Sequence, residues 1–236
     1  MPAFFNGVFG HKPTAGLVSN RGQYPVTNDE GGFADMMLCT GPLVKRSEDL
    51  FPLLQVMCKD RAKLSVEPSS VDVKSLRVFS MEKIGIWGLS PCQELVEAQR
   101  RVANALKSSF GCSVTTIEPF QGMHSSIEIW STLLQTSETE SFSTRLYGEG
   151  KGGFVRGLKE LLLWSCGLSS FTLPAIGLAL LEGATKWTAT PARVQTLEKR
   201  SSRIRTELEN LLGDNGVLLF PSFPSLPPKH NEPLYF

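Results

Sequence analysis

The sequence predicts an α/β fold, and two stretches carry that prediction. The first runs from Leu76 to Ile117. Leu76-Arg-Val-Phe-Ser-Met81 alternates apolar and polar residues as a strand does; Pro91 to Phe110 repeats apolar residues at helical spacing; Ser113-Val-Thr-Thr-Ile117 is a short β-branched strand. Strand, helix, strand in that order is a right-handed crossover, the unit from which parallel sheets are built. The second stretch is Asp214-Asn-Gly-Val-Leu-Leu-Phe-Pro-Ser222, a turn followed by a strand apolar enough to be buried.

Composition agrees with a packed domain. The 236 residues are enough for one large domain or two small ones, and 41% hydrophobic with 20% charged content is ordinary for a globular chain. A formal charge of +1, with no basic run, excludes a broad electrostatic surface for nucleic acid. Cys39, Cys58, Cys92, Cys112 and Cys166 are scattered singly and odd in number, so they read as reduced thiols and not as a disulfide framework or zinc site. Three scattered histidines give no metal cluster, and no metal or cofactor is expected. The start of the chain lacks a charged region followed by an apolar run, so no signal peptide is read there.

Taken in order, residues 15–35 are turn punctuation: Ala15-Gly16, Asn20-Arg21-Gly22 and Asn28 to Gly32. Ser47 is placed to cap a helix with Glu48 and Asp49 in its first turn and Leu50, Leu53, Leu54 and Met57 on one face. Arg46 and Asp49 read as a surface ion pair worth under about 1 kcal/mol. Residues 59–75 form a polar linker. Leu95, Ala98, Val102, Ala105 and Leu106 line the apolar face of the helix over 91–110, which Gly111 ends. A further helix spans Met123 to Thr136 with Ile127, Trp130 and Leu134, and His124 near its start reads as a capping or surface residue. Residues 137–153 are rich in Ser, Thr, Glu and Gly and read as a mobile loop. From Phe154 to Leu181 the chain is at its most apolar, and Gly167, Pro174 and Gly177 divide it into two helices; its apolar runs fall short of the ~20 residues a membrane span needs. Pro191 to Leu212 is a long charged helix with a solvated face, stopped by Gly213.

The opening segment, Met1-Pro-Ala-Phe-Phe-Asn-Gly-Val-Phe-Gly-His-Lys-Pro-Thr14, holds three phenylalanines and two glycines where a natural terminus is usually polar. It resembles the segment that follows the nucleophile in amidase-signature serine hydrolases. Pro2 and Ala3 match the end of that family's Ser-aliphatic-Arg-x-Pro-small signature, and Gly7, Gly10, Lys12, Pro13 and Thr14 match the Gly-x-x-Gly-x-Lys-Pro-Thr that follows. Gly41, Pro42, Arg46, Asp49 and Leu50 match a structural element of the same family. Ser169 to Ala179 resembles its fatty-acid amide hydrolase branch, and Pro221 and Ser222 match the end of a family strand that reaches the substrate pocket.

The resemblance implies a mixed central sheet flanked by helices, with residues 1–236 as a single partial amidase domain incomplete at both ends. It implies a Ser-Ser-Lys triad that cleaves fatty-acid amides, with the nucleophile three positions before Met1 and the other members further upstream. No catalytic residue is therefore assigned within the chain, no Gly-x-Ser-x-Gly elbow substitutes for one, and the chain alone is expected to be inactive. Met1 then falls on an acyl-pocket position. Met81, just before the acid Glu82, falls on one that lines the acyl channel, with core filler as the other reading. Phe220 and Phe223 are candidate walls of the pocket or, equally, filler. The partners implied are a fatty-acid amide and a membrane surface touched through 154–181, with a homodimer as a further option. The intact family is membrane-associated inside the cell; lacking the family's anchor, this chain is expected in the cytosol. The alternative is a non-catalytic product that binds lipid or pairs with a longer relative.

Overall fold

The computed structural model describes residues 1–23, 36–58, 60, 64, 70–137, 141–148 and 153–229, with backbone alone at 137 and 185–188. Their described parts gather into two compact units. Met1–Ser19, Cys39–Ile127 and Lys199–Pro228 form the first, and Asn20–Leu38, Glu128–Glu198 and Lys229 the second.

The first unit is α/β, as expected. Its sheet has three parallel strands in the order β4-β3-β5, with β3 at Arg77–Met81, β4 at Ser113–Ile117 and β5 at Gly216–Leu219. Arg77 stands opposite both Ser113 and Gly216, and the pairing runs to Ser80 opposite Thr116 and Leu219. Because β3 is the middle strand, both its faces are covered: Val78, Ser80 and Met81 are all buried, so the apolar–polar alternation marks the strand but not a solvent face. Arg77 ties the far end of β5. Its Nη2 donates to the Leu212 carbonyl at 2.9 Å, satisfying a carbonyl at the end of the preceding helix, and its Nε donates to Asn215 Oδ1 at 3.0 Å.

The crossover from β3 to β4 is helix α3, Gln93–Phe110; α1 is Pro2–Asn6 and α2 is Leu50–Met57. Gly111 closes α3 with φ 73°, the left-handed geometry glycine adopts without penalty. Its buried face departs from the expected one. Ala103 is buried whereas Val102 is half exposed, so the helix packs through Gln99 and Ala103, one residue on from the purely apolar stripe. At α2 the predicted cap is also corrected. Ser47 lies inside a single 3-10 turn, Ser47–Asp49, that leads into the helix, and Arg46 approaches Glu48 at 3.7 Å. A short antiparallel pair, β1 (Phe9–Gly10) with β2 (Leu43–Val44), joins the opening segment to the stretch before α2, and Val18 bridges Cys58.

The second unit is helical. It holds most of α4 (Ser126–Ser137), α5 (Phe142–Tyr147), α6 (Phe154–Ser165), α7 (Leu173–Thr188) and the first residues of α8 (Pro191–Leu212). On α4 the buried residues are Ile129 and Leu133, while Ile127 and Trp130 are half exposed; His124 is exposed in the 3-10 turn before it. Helix α5 stands where a mobile loop is expected, and two polar groups explain it. Ser141 Oγ accepts from Thr144 N at 3.1 Å, and the buried Glu182 carboxylate accepts from Phe142 N and Ser143 N at 2.9 Å each. Positions 138–140 and 149–152 of that predicted loop, 24–35 of the first and 59, 61–63 and 65–69 of the 59–75 linker lie outside the described residues. Helices α6 and α7 form the predicted hairpin. Gly157 makes it close, since a Cβ there would meet Leu180 Cδ2 at 2.8 Å. Gly177, read as a break, sits inside α7, and Pro174 occupies its first turn, where a missing N–H costs nothing.

Candidate active-site wall

Parallel sheets present ligands at the carboxyl ends of their strands, in the crevice where the strand order reverses. Here the chain passes from β3 to β4 on one side and returns to β5 on the other. The reversal therefore lies between β3 and β5, and that is where two of the predicted site residues emerge. Met81 is the last residue of β3 and is 0% exposed; Phe220 follows the last residue of β5 and is 40% exposed.

A residue that periodicity passes over holds the two strand ends together. Gln99 Nε2 lies 3.0 Å from Ser80 Oγ, 3.0 Å from the Met81 carbonyl and 3.2 Å from the Leu219 carbonyl. One side-chain amide from α3 thus reaches the last carbonyls of both strands. Its signal in the sequence is faint: a polar residue four after Leu95 and four before Ala103, on a face otherwise apolar.

After Phe220 the chain bends through the buried Pro221 to Phe223. Phe223 packs edge to face on Phe5 of α1, with centroids 5.0 Å apart and planes at 88°. Such a contact is worth about 0.5–1.5 kcal/mol beyond area burial. It brings the opening segment against the loop that leaves β5, a proximity between residues more than two hundred positions apart. Met1, whose carbonyl accepts from Phe5 N at 3.0 Å, is 64% exposed at the head of α1. The loop leaving β3 joins the same place, because Cys92 N donates to the Pro224 carbonyl at 2.7 Å. Met81 thus ends β3, Phe220 and Phe223 follow the end of the neighbouring β5, and Met1 stands at the N-cap of the helix that Phe223 touches.

The charged group beside this wall is neutralised. Glu82 accepts two hydrogen bonds from Arg100, from Nε at 2.9 Å and Nη2 at 2.7 Å, a bidentate pair. Those hydrogen bonds, against the opposing effect of burial and with help from the guanidinium charge, hold its carboxyl below the usual range. A carboxylate held ionised in this way is a poor proton donor, so it anchors α3 to β3. Of the apolar side chains here, Met81 is wholly buried, whereas Phe220 and Met1 present open surface.

In the second unit a groove of about 590 Å³ is lined by Thr136, Ala189, Pro191, Ala192, Val194, Gln195 and Glu198; none of the four predicted site residues lines it. Among the described residues no group of three His, Cys, Asp or Glu side chains could hold a metal ion, and no helix is long and apolar enough to cross a membrane.

Comparison with known proteins assigns the chain. The Amidase family model matches residues 1–236. Human fatty-acid amide hydrolase 2 is 37% identical over 241 residues, covering 99% of this chain and 44% of the relative. Two Danio rerio proteins, fatty-acid amide hydrolase 2-B and 2-A, are 37% and 38% identical, each covering 100% of this chain and 44% of the relative. The chain thus spans less than half the length of the curated relatives it matches. It belongs to the amidase family.

Proposed function

We propose that this chain supplies the downstream wall of the active site in a serine amidase of the fatty-acid amide hydrolase type, as one partial amidase domain. The observation that carries the reading is the convergence of Met81, Phe220 and Phe223 on the carboxyl ends of β3 and β5, with the opening segment held there by Phe5. A long acyl chain needs such a wall of apolar side chains free of unpaired charge. The bond-breaking groups of the family, a serine activated through a second serine by a lysine and an oxyanion site of backbone amides, match no residues of this chain. The 236 residues by themselves are therefore non-hydrolytic.

The helical hairpin supports a second element of the proposal, contact with a membrane surface. Val155, Leu162 and Leu168 are 81%, 70% and 72% exposed on α6 and the turn after it, and Leu178 and Leu181 of α7 are also exposed. Apolar side chains left this open on a helix pair favour an interfacial lipid layer.

The test uses the 236-residue chain with a fluorophosphonate probe and a long-chain fatty-acid amide. The expected result is no stoichiometric labelling and no release of fatty acid, together with saturable binding of the amide. Labelling of a serine in this chain would overturn the non-hydrolytic part; absence of amide binding would overturn the wall. Co-sedimentation with phospholipid vesicles, lost in a Val155→Asp, Leu162→Asp variant, checks the membrane contact, and a vesicle-independent dimer covering the same face would replace it.

A further inference from the structure

We propose that Lys12 and Cys39 form an oxidation-responsive covalent pair, in which Lys12 Nζ and Cys39 Sγ become joined through one oxygen atom as an N–O–S bridge. Lys12 Nζ lies 3.3 Å from Cys39 Sγ, donating to it across 27 positions of sequence. A single oxygen inserted between a nitrogen and a sulfur at that separation needs little movement of either.

The two side chains leave backbones that are clamped together. Phe9 pairs with Val44 and Gly10 with Leu43, and His11 N continues the pairing by donating to the Pro42 carbonyl at 3.1 Å. At Gly41 the chains touch: a Cβ there would fall 2.0 Å from the His11 carbonyl oxygen and 2.7 Å from Pro13 Cδ, so only glycine allows the approach. Pro13 and Pro42 are buried on either side of it. Lys12 and Cys39 thus project from fixed neighbouring segments, and bringing their ends together restricts side-chain rotamers alone.

The other thiols are differently employed. Buried Cys58 donates to the Leu17 and Asp60 carbonyls, buried Cys112 donates to the Val73 carbonyl, and Cys166 Sγ stands 4.0 Å from Ser165 Oγ. Cys92 stands at the N-cap position of α3 with its side chain hydrogen-bonded to Glu94. Cys39 is half-buried and Lys12 exposed, so a small oxidant reaches both.

The chemistry balances with dioxygen as the oxidant. The amine and the thiol each lose two electrons; one oxygen atom enters the bridge, and the other leaves as water with one N–H and one S–H hydrogen. Two equivalents of hydrogen peroxide serve in its place and leave three waters. Reduction by excess thiol restores amine and thiol and releases the bridging oxygen as water, which makes the pair reversible, unlike sulfinic or sulfonic acid. Closing the bridge would fix the opening segment to the stretch before β2 whatever the function of the intact protein, so the inference stands apart from the proposed amidase role.

The experiment treats the 236-residue chain with hydrogen peroxide, blocks remaining thiols, and digests with trypsin. The enzyme does not cut at Lys12-Pro13, so it releases peptides 1–21 and 22–45, the second carrying Cys39 as its sole cysteine. The expected product is these two peptides joined, with a mass equal to their sum plus one oxygen less two hydrogens. It is released by dithiothreitol, absent from Lys12→Arg and Cys39→Ser, and absent when oxidation is carried out in guanidinium. Three results would overturn the proposal: Cys39 gaining one to three oxygens with peptide 1–21 unmodified, the joined mass persisting in Lys12→Arg, or Cys39 remaining reduced under treatment that oxidises Cys166.

Discussion

Replacement of Gln99 tests the reading that one amide holds the carboxyl ends of β3 and β5. The amide nitrogen has two hydrogens shared among Ser80 Oγ and the carbonyls of Met81 and Leu219. Two hydrogen bonds at about 0.5–1.5 kcal/mol each set a loss of about 1–3 kcal/mol for Gln99→Ala, the upper part reached because the strand-end carbonyls keep no other donor from this side chain. For a chain of this size about 2 kcal/mol corresponds to a fall in melting temperature of about 4–8 °C. Gln99→Leu fills the volume but leaves the same carbonyls without the amide, so it recovers packing and not the bonds. Gln99→Glu is the discriminating variant. At neutral pH it sets a carboxylate against the two carbonyl oxygens of Met81 and Leu219, so it is more destabilising than Gln99→Ala despite its closer shape. On acidification the protonated acid donates once, and the gap between the Gln99→Glu variant and wild type narrows. Thermal unfolding followed by circular dichroism at neutral pH and at mildly acidic pH reads both effects. If Gln99→Glu unfolds with wild type, or Gln99→Ala shifts stability by less than about 0.5 kcal/mol, the strand-end amide is not what joins β3 to β5.

Two further outcomes follow from the same region. Met81 is wholly buried, so Met81→Ala costs about 2–5 kcal/mol while Met81→Leu costs under about 1.5 kcal/mol, measured by urea unfolding; equal, small losses would show that the side chain is not packed. The Glu82–Arg100 pair gives a pH dependence of fixed sign. The folded-state pKa of Glu82 is lowered from 4.5, so its stabilisation is present above that value and is lost as pH falls through the lower folded value. Melting temperatures from pH 6 down to pH 3 should therefore fall more steeply in wild type than in Arg100→Met, and parallel slopes would remove the pair from the account.

The elements that the sequence made legible are those whose information is local. β4, α8 and the end of α3 stand where β-branched runs, a charged helical repeat and Gly111 place them, because propensity and capping act within a few residues. The misreadings share one cause. Val102 and Ala105 fit an apolar stripe, but α3 turns Gln99 and Ala103 inward, where Gln99 donates to carbonyls of two strands that are distant in sequence. Helix α5 looks like a polar loop until Glu182, forty residues on, supplies the acceptor for its first N–H groups. Gly177 reads as a breaker, yet α7 runs through it and through Gly183, since a helix packed in a hairpin tolerates glycines at a cost of about 1 kcal/mol each.

By itself the sequence determined the fold class, the crossover order and the membership of the amidase family, through residues such as Pro2, Gly10, Lys12, Gly41 and Pro42 whose spacing along the chain is the signal. Tertiary structure alone decided what those residues face. That Phe5 meets Phe223, that Gln99 spans Met81 and Leu219, and that Lys12 reaches Cys39 are contacts between distant positions. Their pairing depends on how strands register and helices rotate in a packed core. No local preference encodes it, because each such contact is selected by the space and the unpaired polar groups that its partner leaves.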